Sequence, residues 1–406
     1  MITTQTFAAI ILALFVVYSL ISKTLTRTVL TLPIIFVAAG FLLSEFATSA
    51  SDPRLVHEGK RLLAEITLIL VLFADASHVR FKRFAKTWKI PMRMLAFGLP
   101  VTLMFGTIVV FLLNPASGLA MALLTAAVLT PTDAALGQTV VSSPDVPGHL
   151  SQTINVESGL NDGLVLPFVL LGAILASSAM GEAHVDGLAG EAIIEVILGP
   201  LAGMAVGWFL AKAMDWSQNR GYMTDPAGGV VFLTGAFLSF LVAGIIGGNG
   251  FIAAFVGGMV FGNTYRHDIH FITEFMEGAG QLLTMSAFLV FGAFLLPDGI
   301  EHISLPAVLV AAAFLTIVRI VPIFVSLWGS GLNVPEKLFL GWFGPRGLAS
   351  ILFTLIIIDE FSFPHEEELL ACVSMTVLFS VVLHGISATP LSRWIGGHSS
   401  RTERVD

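Results

Sequence analysis

The sequence predicts an all-α polytopic membrane protein of about thirteen transmembrane helices, built as inverted repeats with two interrupted helices crossing near the midplane. Three observations carry this. The 406 residues are 55% hydrophobic and only 12% charged, and the mean hydropathy is +0.88. Apolar stretches of spanning length recur between short polar or Pro/Gly-rich turns. Two of those stretches are broken, one by Pro131 and one by Gly344-Pro345-Arg346-Gly347, and each break is followed by one more long helix. Paired interruptions in corresponding positions are the sequence mark of an inverted repeat with a site at mid-depth.

The windows follow in order. Residues 5–21 lack a preceding basic flank and a small-residue cleavage site, so they read as a first spanning helix and not as a cleaved signal. Windows 29–44, 62–79 and 93–113 come next, then 118–141 with the Pro131 break and 151–177 with a polar cluster. Windows 190–213, 229–247 and 250–263 are Gly-rich, and GIIGGNG between the last two is expected as a turn or a kink. Windows 280–296, 304–328, 336–358 and 369–389 complete the set. Arg80, Lys82, Arg83, Lys86, Lys89 and Arg93 after the third window mark a cytoplasmic loop, which places the N-terminus outside and the C-terminus inside. Arg54, Lys60 and Arg61 dissent from that rule.

Composition also excludes. A net charge of −8 gives no support for nucleic-acid binding. Cys372 is the single cysteine, so no disulfide framework or cysteine metal cluster is expected. No phosphate-binding loop is present, and little chain follows the last apolar window, so neither a cofactor nor an ATP-hydrolysing domain is expected.

The chemistry concentrates in charges set inside apolar runs, where a carboxylate is costly without a task. Pro131 cannot donate a backbone hydrogen bond, so the helix opens near Thr130–Asp133 and frees carbonyls beside the Asp133 carboxylate. Two readings are compatible there: Asp133 caps the following half-helix, or it binds a cation. In ESGLNDG, Glu157 and Asn161 are four apart, as are Ser158 and Asp162, so all four share one helical face that must look into the bundle. Asp162 is the candidate carrier of an exchanged proton, and Asn161 a hydrogen-bonding group that does not titrate. Arg346 is a buried cation needing a partner; Glu157 is the expected one, against the alternative of an Arg snorkelling to the inner surface. Arg319 in FLTIVRIVP is read as structural, with Glu274 or Glu277 as partner. Asp75, ending the third window, is either a ligand reaching the site or a helix-end charge at the interface.

TPTDAALG, NVESGLNDG and FGPRGLASI, in that order, resemble the monovalent cation:proton antiporter family, NhaP-type branch, over nearly the whole chain. The resemblance implies a thirteen-helix inverted-repeat fold, a homodimer, and alternating access within one membrane domain, residues 1–406. Core-type helices would fall in 62–177 and 280–389, and dimerisation-type helices in 5–44 and 190–263. It implies Asn161-Asp162 as the ion or proton carrier, Thr132-Asp133 at the broken helix, and Glu157 paired with Arg346. Asn-Asp in place of Asp-Asp implies electroneutral exchange. Two departures are visible: Pro131 precedes Thr132-Asp133 where many members have Thr-Asp-Pro, and Ala74-Asp75 stands where many have a Glu.

The expected activity is exchange of Na+ (or Li+) for H+ across the plasma or inner membrane, with Na+ at Asp162, Asp133 and Ser158 and with Thr132, Asn161 and Asp75 around them. Carboxylate, hydroxyl and carbonyl oxygens suit such a hard cation. The alternatives are a K+/H+ antiporter or potassium-efflux system of the same fold, a cation channel, and an intramembrane aspartyl protease using Asp133 and Asp162. The protease reading lacks the Tyr-Asp and Gly-x-Gly-Asp surroundings it requires.

Overall fold

The computed structural model describes residues 4–25, 30–50, 53–79, 88–178, 185–267 and 270–402, and every regular element among them is helical. The chain opens with α1 (Thr4–Leu25), α2 (Leu32–Ala50) and α3 (Pro53–His78). A wider π-type turn at Met94–Gly98 joins α4 (Lys89–Arg93) and α5 (Leu99–Leu113) into one span. Then α6 (Gly118–Leu129) and α7 (Ala134–Val141) form the first broken span, followed by α8 (Gly148–Ser178), α9 (Val185–Asn219), α10 (Asp225–Ile245) and α11 (Gly250–Thr264). A second π-type turn, Phe291–Leu295, links α12 (His270–Val290) to α13 (Leu296–Glu301). Thr316 separates α14 (Leu305–Leu315) from α15 (Ile317–Ser326). The second span expected to break is α16 (Val334–Trp342) with α17 (Leu348–Glu360), and α18 (Glu366–Thr402) closes the described chain.

With each joined or broken pair taken as one span, the described residues hold thirteen spans in the predicted order. Nine of these helical stretches are long and apolar enough to cross a membrane by length and composition, with Leu32–Ala47 and Gly250–Thr264 as shorter apolar helices. GIIGGNG is a turn: Gly247 has φ +78 and Asn249 caps α11 by accepting from the Phe251 and Ile252 amides. The interruption at Thr316 was not expected. Its φ of −123 and ψ of −95 leave the helix.

The surface is inverted relative to a water-soluble protein. Leu20, Ile245 and Trp328 are more than three-quarters exposed, whereas Thr132, Asp133, Glu157, Ser158, Asn161, Asp162 and Arg346 are buried. The bundle is pinned at both ends. At one end Arg93 donates to the carbonyls of Ser326 (2.8 Å) and Trp328 (2.5 Å), and His149 meets Glu336 at 3.1 Å. At the other end Asp359 on α17 receives His57 (2.7 Å) and Arg61 (3.0 Å) from α3. That contact, and Lys60 lying 5.0 Å from the Phe294 ring centre, account for Arg61 and Lys60, two of the basic residues that dissented from the charge rule. Arg80, Lys82, Arg83 and Lys86, which set the predicted orientation, and Glu182 and Arg404 lie outside the described residues.

No hydrophobic force drives helices together in lipid, so close approach must come from small side chains. A Cβ on Gly258 of α11 would stand 2.1 Å from the Phe73 carbonyl oxygen of α3, and one on Gly262 would stand 2.0 Å from that of Ser77. On the opposite side of α11, a Cβ on Gly207 of α9 would stand 2.2 Å from the Gly257 carbonyl oxygen. The backbones of α3, α11 and α9 are therefore in direct contact. Gly258→Ala should destabilise the protein by about 1–3 kcal/mol, because the helices must separate. Gly278→Ala, facing open space, should be neutral or slightly stabilising. Thermal unfolding of both variants in detergent checks this, and equal melting temperatures would show that the contact carries no weight.

Candidate ion-binding site

Two broken helices leave four sets of unpaired backbone groups at mid-depth, and the site is built from what satisfies them. Asp133 is the N-cap of α7: its Oδ1 accepts from the amides of Ala135 (2.7 Å) and Leu136 (3.2 Å). Its Oδ2 accepts from the amide of Leu348 (2.6 Å), the first residue of α17. The Asp133 amide donates to the Pro345 carbonyl (2.8 Å). One carboxylate thus closes the N-termini of both half-helices, where its negative charge also complements the positive ends of their dipoles. Gly347 is required there, since a Cβ would lie 2.0 Å from Asp133 Oδ2. Of the two compatible readings, the capping one is realised in this geometry.

Arg346 serves the opposite polarity. It is 0% exposed, so it does not snorkel. Its Nη1 donates to the carbonyls of Thr130 and Pro131 (2.8 Å for the latter), at the C-terminal end of α6 that Pro131 opens. Ser350 of α17 donates to the Val128 carbonyl (2.7 Å) in the same turn. The Arg346 amide donates to Ser380 Oγ (2.7 Å) on α18. His384, one turn further along α18, stands 3.2 Å from Ser380 Oγ and donates through Nε2 to the Trp342 carbonyl (2.9 Å) at the end of α16. Ser380 and His384 were not singled out from the sequence, although their i, i+4 spacing in an apolar helix was a usable sign.

The expected Glu157–Arg346 pair is not formed. Glu157 is held bidentately by Arg319: Nη1 meets Oε1, and Nη2 meets Oε2 at 2.6 Å. Arg319 also reaches the Leu340 carbonyl at 3.4 Å and passes under Gly344, where a Cβ would lie 2.3 Å from its Nε. This also replaces the expected partnering of Arg319 with Glu274 or Glu277, whose side chains lie outside the described ones. The reason is geometric. The α6 carbonyls engage the Arg346 guanidinium, and the break at Thr316 delivers Arg319 to the flank of α8. Both ends of the Glu157–Arg319 pair are about 95% buried, so its geometry and hydrogen bonds must offset the loss of water.

The remaining polar face of α8 meets the first break. Asn161 Nδ2 donates to Thr132 Oγ1 (2.6 Å), and Thr132 Oγ1 is hydrogen-bonded to Ser158 Oγ at 3.0 Å. Asn161 Oδ1 and Asp162 Oδ1 are buried acceptors with no hydrogen-bond partner. Asp75 and Asp133 are the carboxylates, and Arg346 the cation, whose charges act on Asp162. Asp75 is beside the site: its Cβ lies 3.7 Å from where a Cβ on Gly159 would stand, one helical turn before Asp162. A Cβ on Gly163 would overlap the Phe255 ring of α11 at 2.2 Å, so an aromatic wall abuts the residue after Asp162. Thr132, Asp133, Ser158, Asn161, Asp162 and Asp75 are therefore assembled in one region, with Glu157 and Arg319 on its flank. Among the described residues no group of three or more His, Cys, Asp or Glu side chains is arranged to hold a resident metal ion.

This geometry predicts a specific coupling. Glu157→Gln or Arg319→Gln alone should cost about 3–5 kcal/mol, because a buried charge is left unpaired. The double variant should recover part of that loss. Glu157→Gln with Arg346→Gln should recover less, since Arg346 is held by carbonyls. Thermal melting in detergent of the wild type, the three single variants Glu157→Gln, Arg319→Gln and Arg346→Gln, and the two double variants measures it; greater recovery with Arg346 would reverse the pairing.

The sequence and the fold both have known relatives. The sodium/hydrogen exchanger (transmembrane) family pattern matches residues 10–394. The chain is 24% identical over 379 residues to the K(+)/H(+) antiporter NhaP2 of Shewanella sp. strain ANA-3, covering 92% of this chain and 64% of that protein. It is 24% identical over 361 residues to Na(+)/H(+) antiporter 2 of Zygosaccharomyces rouxii, covering 80% and 44% respectively. The chain thus spans less than two-thirds of the length of these relatives. In three dimensions it resembles the sodium proton antiporter MjNhaP1 of Methanocaldococcus jannaschii, with a TM-score of 0.75 and 19% identity over 93% of this chain and 98% of that one. That likeness confirms the all-helical interrupted fold. The match over 10–394 establishes that this multi-pass membrane chain belongs to the sodium/hydrogen exchanger family.

Proposed function

We propose that the protein is a secondary antiporter that exchanges Na+ (or Li+) for H+ by alternating access. The observation that carries this reading is the pair of buried oxygens, Asp162 Oδ1 and Asn161 Oδ1, left without donors beside a helix break. Buried acceptors are rarely left unmatched, and a desolvated monovalent cation or a proton supplies what they lack. Asp162 is the titrating ligand; Asn161 Oδ1 and the Ser158 and Thr132 hydroxyls supply neutral oxygens. Asp133, with its oxygens engaged by three amides, contributes negative field rather than a fifth direct ligand. Asp75 adds a second carboxylate within range of Asp162.

Competition supplies the coupling. Asp162 holds either a cation or a proton, and the unloaded carboxylate is too poorly solvated to cross. Asn161 carries no proton, so one unit charge replaces another and the exchange is electroneutral. Residues of the core-type group, rocking against the dimerisation-type group, expose the site alternately to each side. The native form is a homodimer in the plasma or inner membrane. The N-terminus lies outside and the C-terminus inside, supported by Lys89, Arg93, Lys337 and Arg393 at one end and Asp298, Glu301, Asp359 and Glu366–Glu368 at the other. A second reading, K+ in place of Na+, is favoured by the names of the Shewanella relatives.

Asp162→Asn should abolish cation-induced dissipation of a pH gradient in proteoliposomes, while the purified protein keeps its wild-type elution and melting behaviour. Substantial exchange by that folded variant would remove Asp162 from the mechanism. Li+, Na+, K+ and Rb+ added in turn decide between the two cation readings.

Exchange should also be indifferent to an imposed membrane potential. The potential can be clamped with K+ and valinomycin once K+ is shown not to be carried. A rate that climbs with potential, together with net charge movement on a solid-supported membrane, would mean that Asp75 or Asp133 takes up a second proton per cycle.

A further inference from the structure

We propose that a groove between α15 and α16, on the lipid-facing side of the bundle, binds one anionic phospholipid. Its acyl chain would lie along the apolar walls, with its phosphate against Lys337. The groove is open along one side and offers about 490 Å3, a volume within the range of about 300–1,000 Å3 seen at ligand sites. Its walls are Ile320, Val321, Phe324, Val325 and Leu338, and Trp328 stands on its rim, 82% exposed. Such walls suit a hydrocarbon chain, and an exposed Trp is the side chain that settles at headgroup depth.

Charge at the mouth selects the headgroup. Lys337 is the one charged residue lining the groove, and among the described residues it makes no ion pair with a carboxylate. It sits in the first turn of α16, where a cation opposes the helix dipole. The turn is already capped by the reciprocal Asn333–Glu336 hydrogen bonds of 2.8 and 2.9 Å, and Glu336 itself is turned to His149. Lys337 thus has no task within the fold. Arg93 brings a second positive charge to the Trp328 backbone beside the groove, spending Nε and Nη2 on the Ser326 and Trp328 carbonyls. Gly329 (φ +69) and Gly331 (φ +85) allow the turn that holds Trp328 over the groove. Basic pockets between transmembrane helices are established sites for anionic headgroups.

The site also bears on the interior. Ile320 lines the groove and packs on Gly341 of α16, while the preceding residue, Arg319, holds Glu157. A chain lodged in the groove would brace the helix that positions that ion pair. None of this depends on which cation is carried.

The test is native mass spectrometry of the full chain in detergent, with phosphatidylglycerol or phosphatidylcholine added. The wild-type protein should retain one phosphatidylglycerol in preference to phosphatidylcholine. Lys337→Gln should weaken that retention about fivefold, the worth of one basic residue near an anionic surface. Lys337→Arg should restore it, and Val321→Trp, which fills the groove, should remove it. Melting temperatures without lipid show that each variant is folded. Equal retention of the two lipids, undiminished binding by Lys337→Gln, or a change in oligomeric state by Val321→Trp with lipid retention intact would overturn the assignment.

Discussion

The structure depends on a reciprocal clip between two broken helices. Asp133 from the first break closes the N-termini of α7 and α17, and Arg346 from the second closes the C-terminal end of α6. Opening a helix inside a membrane exposes amides and carbonyls that no water meets, at a cost of several kcal/mol each. A carboxylate at converging N-termini and a guanidinium at a C-terminus answer both the hydrogen-bonding deficit and the dipoles. Arg346 satisfies carbonyls of the opposite break, and Asp133 satisfies amides of its own break and of the opposite one, so each break is held in part by the other.

What the clip consumes defines what is left over. Asp133 and the Nη1 group of Arg346 are committed to backbone, and Glu157 is committed to Arg319. Ser158 and Asn161 are tied to Thr132. Asp162 is then the carboxylate on this face of α8 with a buried oxygen free of donors. A titratable group with no fixed partner is the one that can exchange a cation for a proton without unfolding its surroundings. The structural charges and the functional one differ in partners, not in residue type.

Small residues set how near these groups come. Gly159 admits Asp75, Gly163 admits the Phe255 ring, and Gly347 admits Asp133. In each case a Cβ would meet a neighbour at or inside van der Waals contact. Close backbone approach gives van der Waals cohesion in lipid, and here it also brings a carboxylate from α3 beside one from α8. Charged groups at the two ends of the bundle, Arg61 with Asp359 and His149 with Glu336, tie neighbouring helices where water is available.

The sequence alone determined the class, the number of spans and the place of both breaks. Hydropathy and the chemistry of proline act locally, so stretches such as 118–141 declare their behaviour without their neighbours. Helical spacing likewise put Glu157, Ser158, Asn161 and Asp162 on one inward face. Partnership was decided only in three dimensions. Arg319 and Arg346 each appear in the sequence as a lone cation in an apolar run, equally able to accept Glu157. The choice rests on an interruption at Thr316 that few local signals mark, and on the Thr130 and Pro131 carbonyls that claim Arg346 from 216 and 215 residues away. Periodicity states which face of a helix is polar, but not which helix docks on it. The position of Asp75 beside Gly159 and the donor-free oxygen of Asp162 therefore emerge only when the two breaks are clipped together.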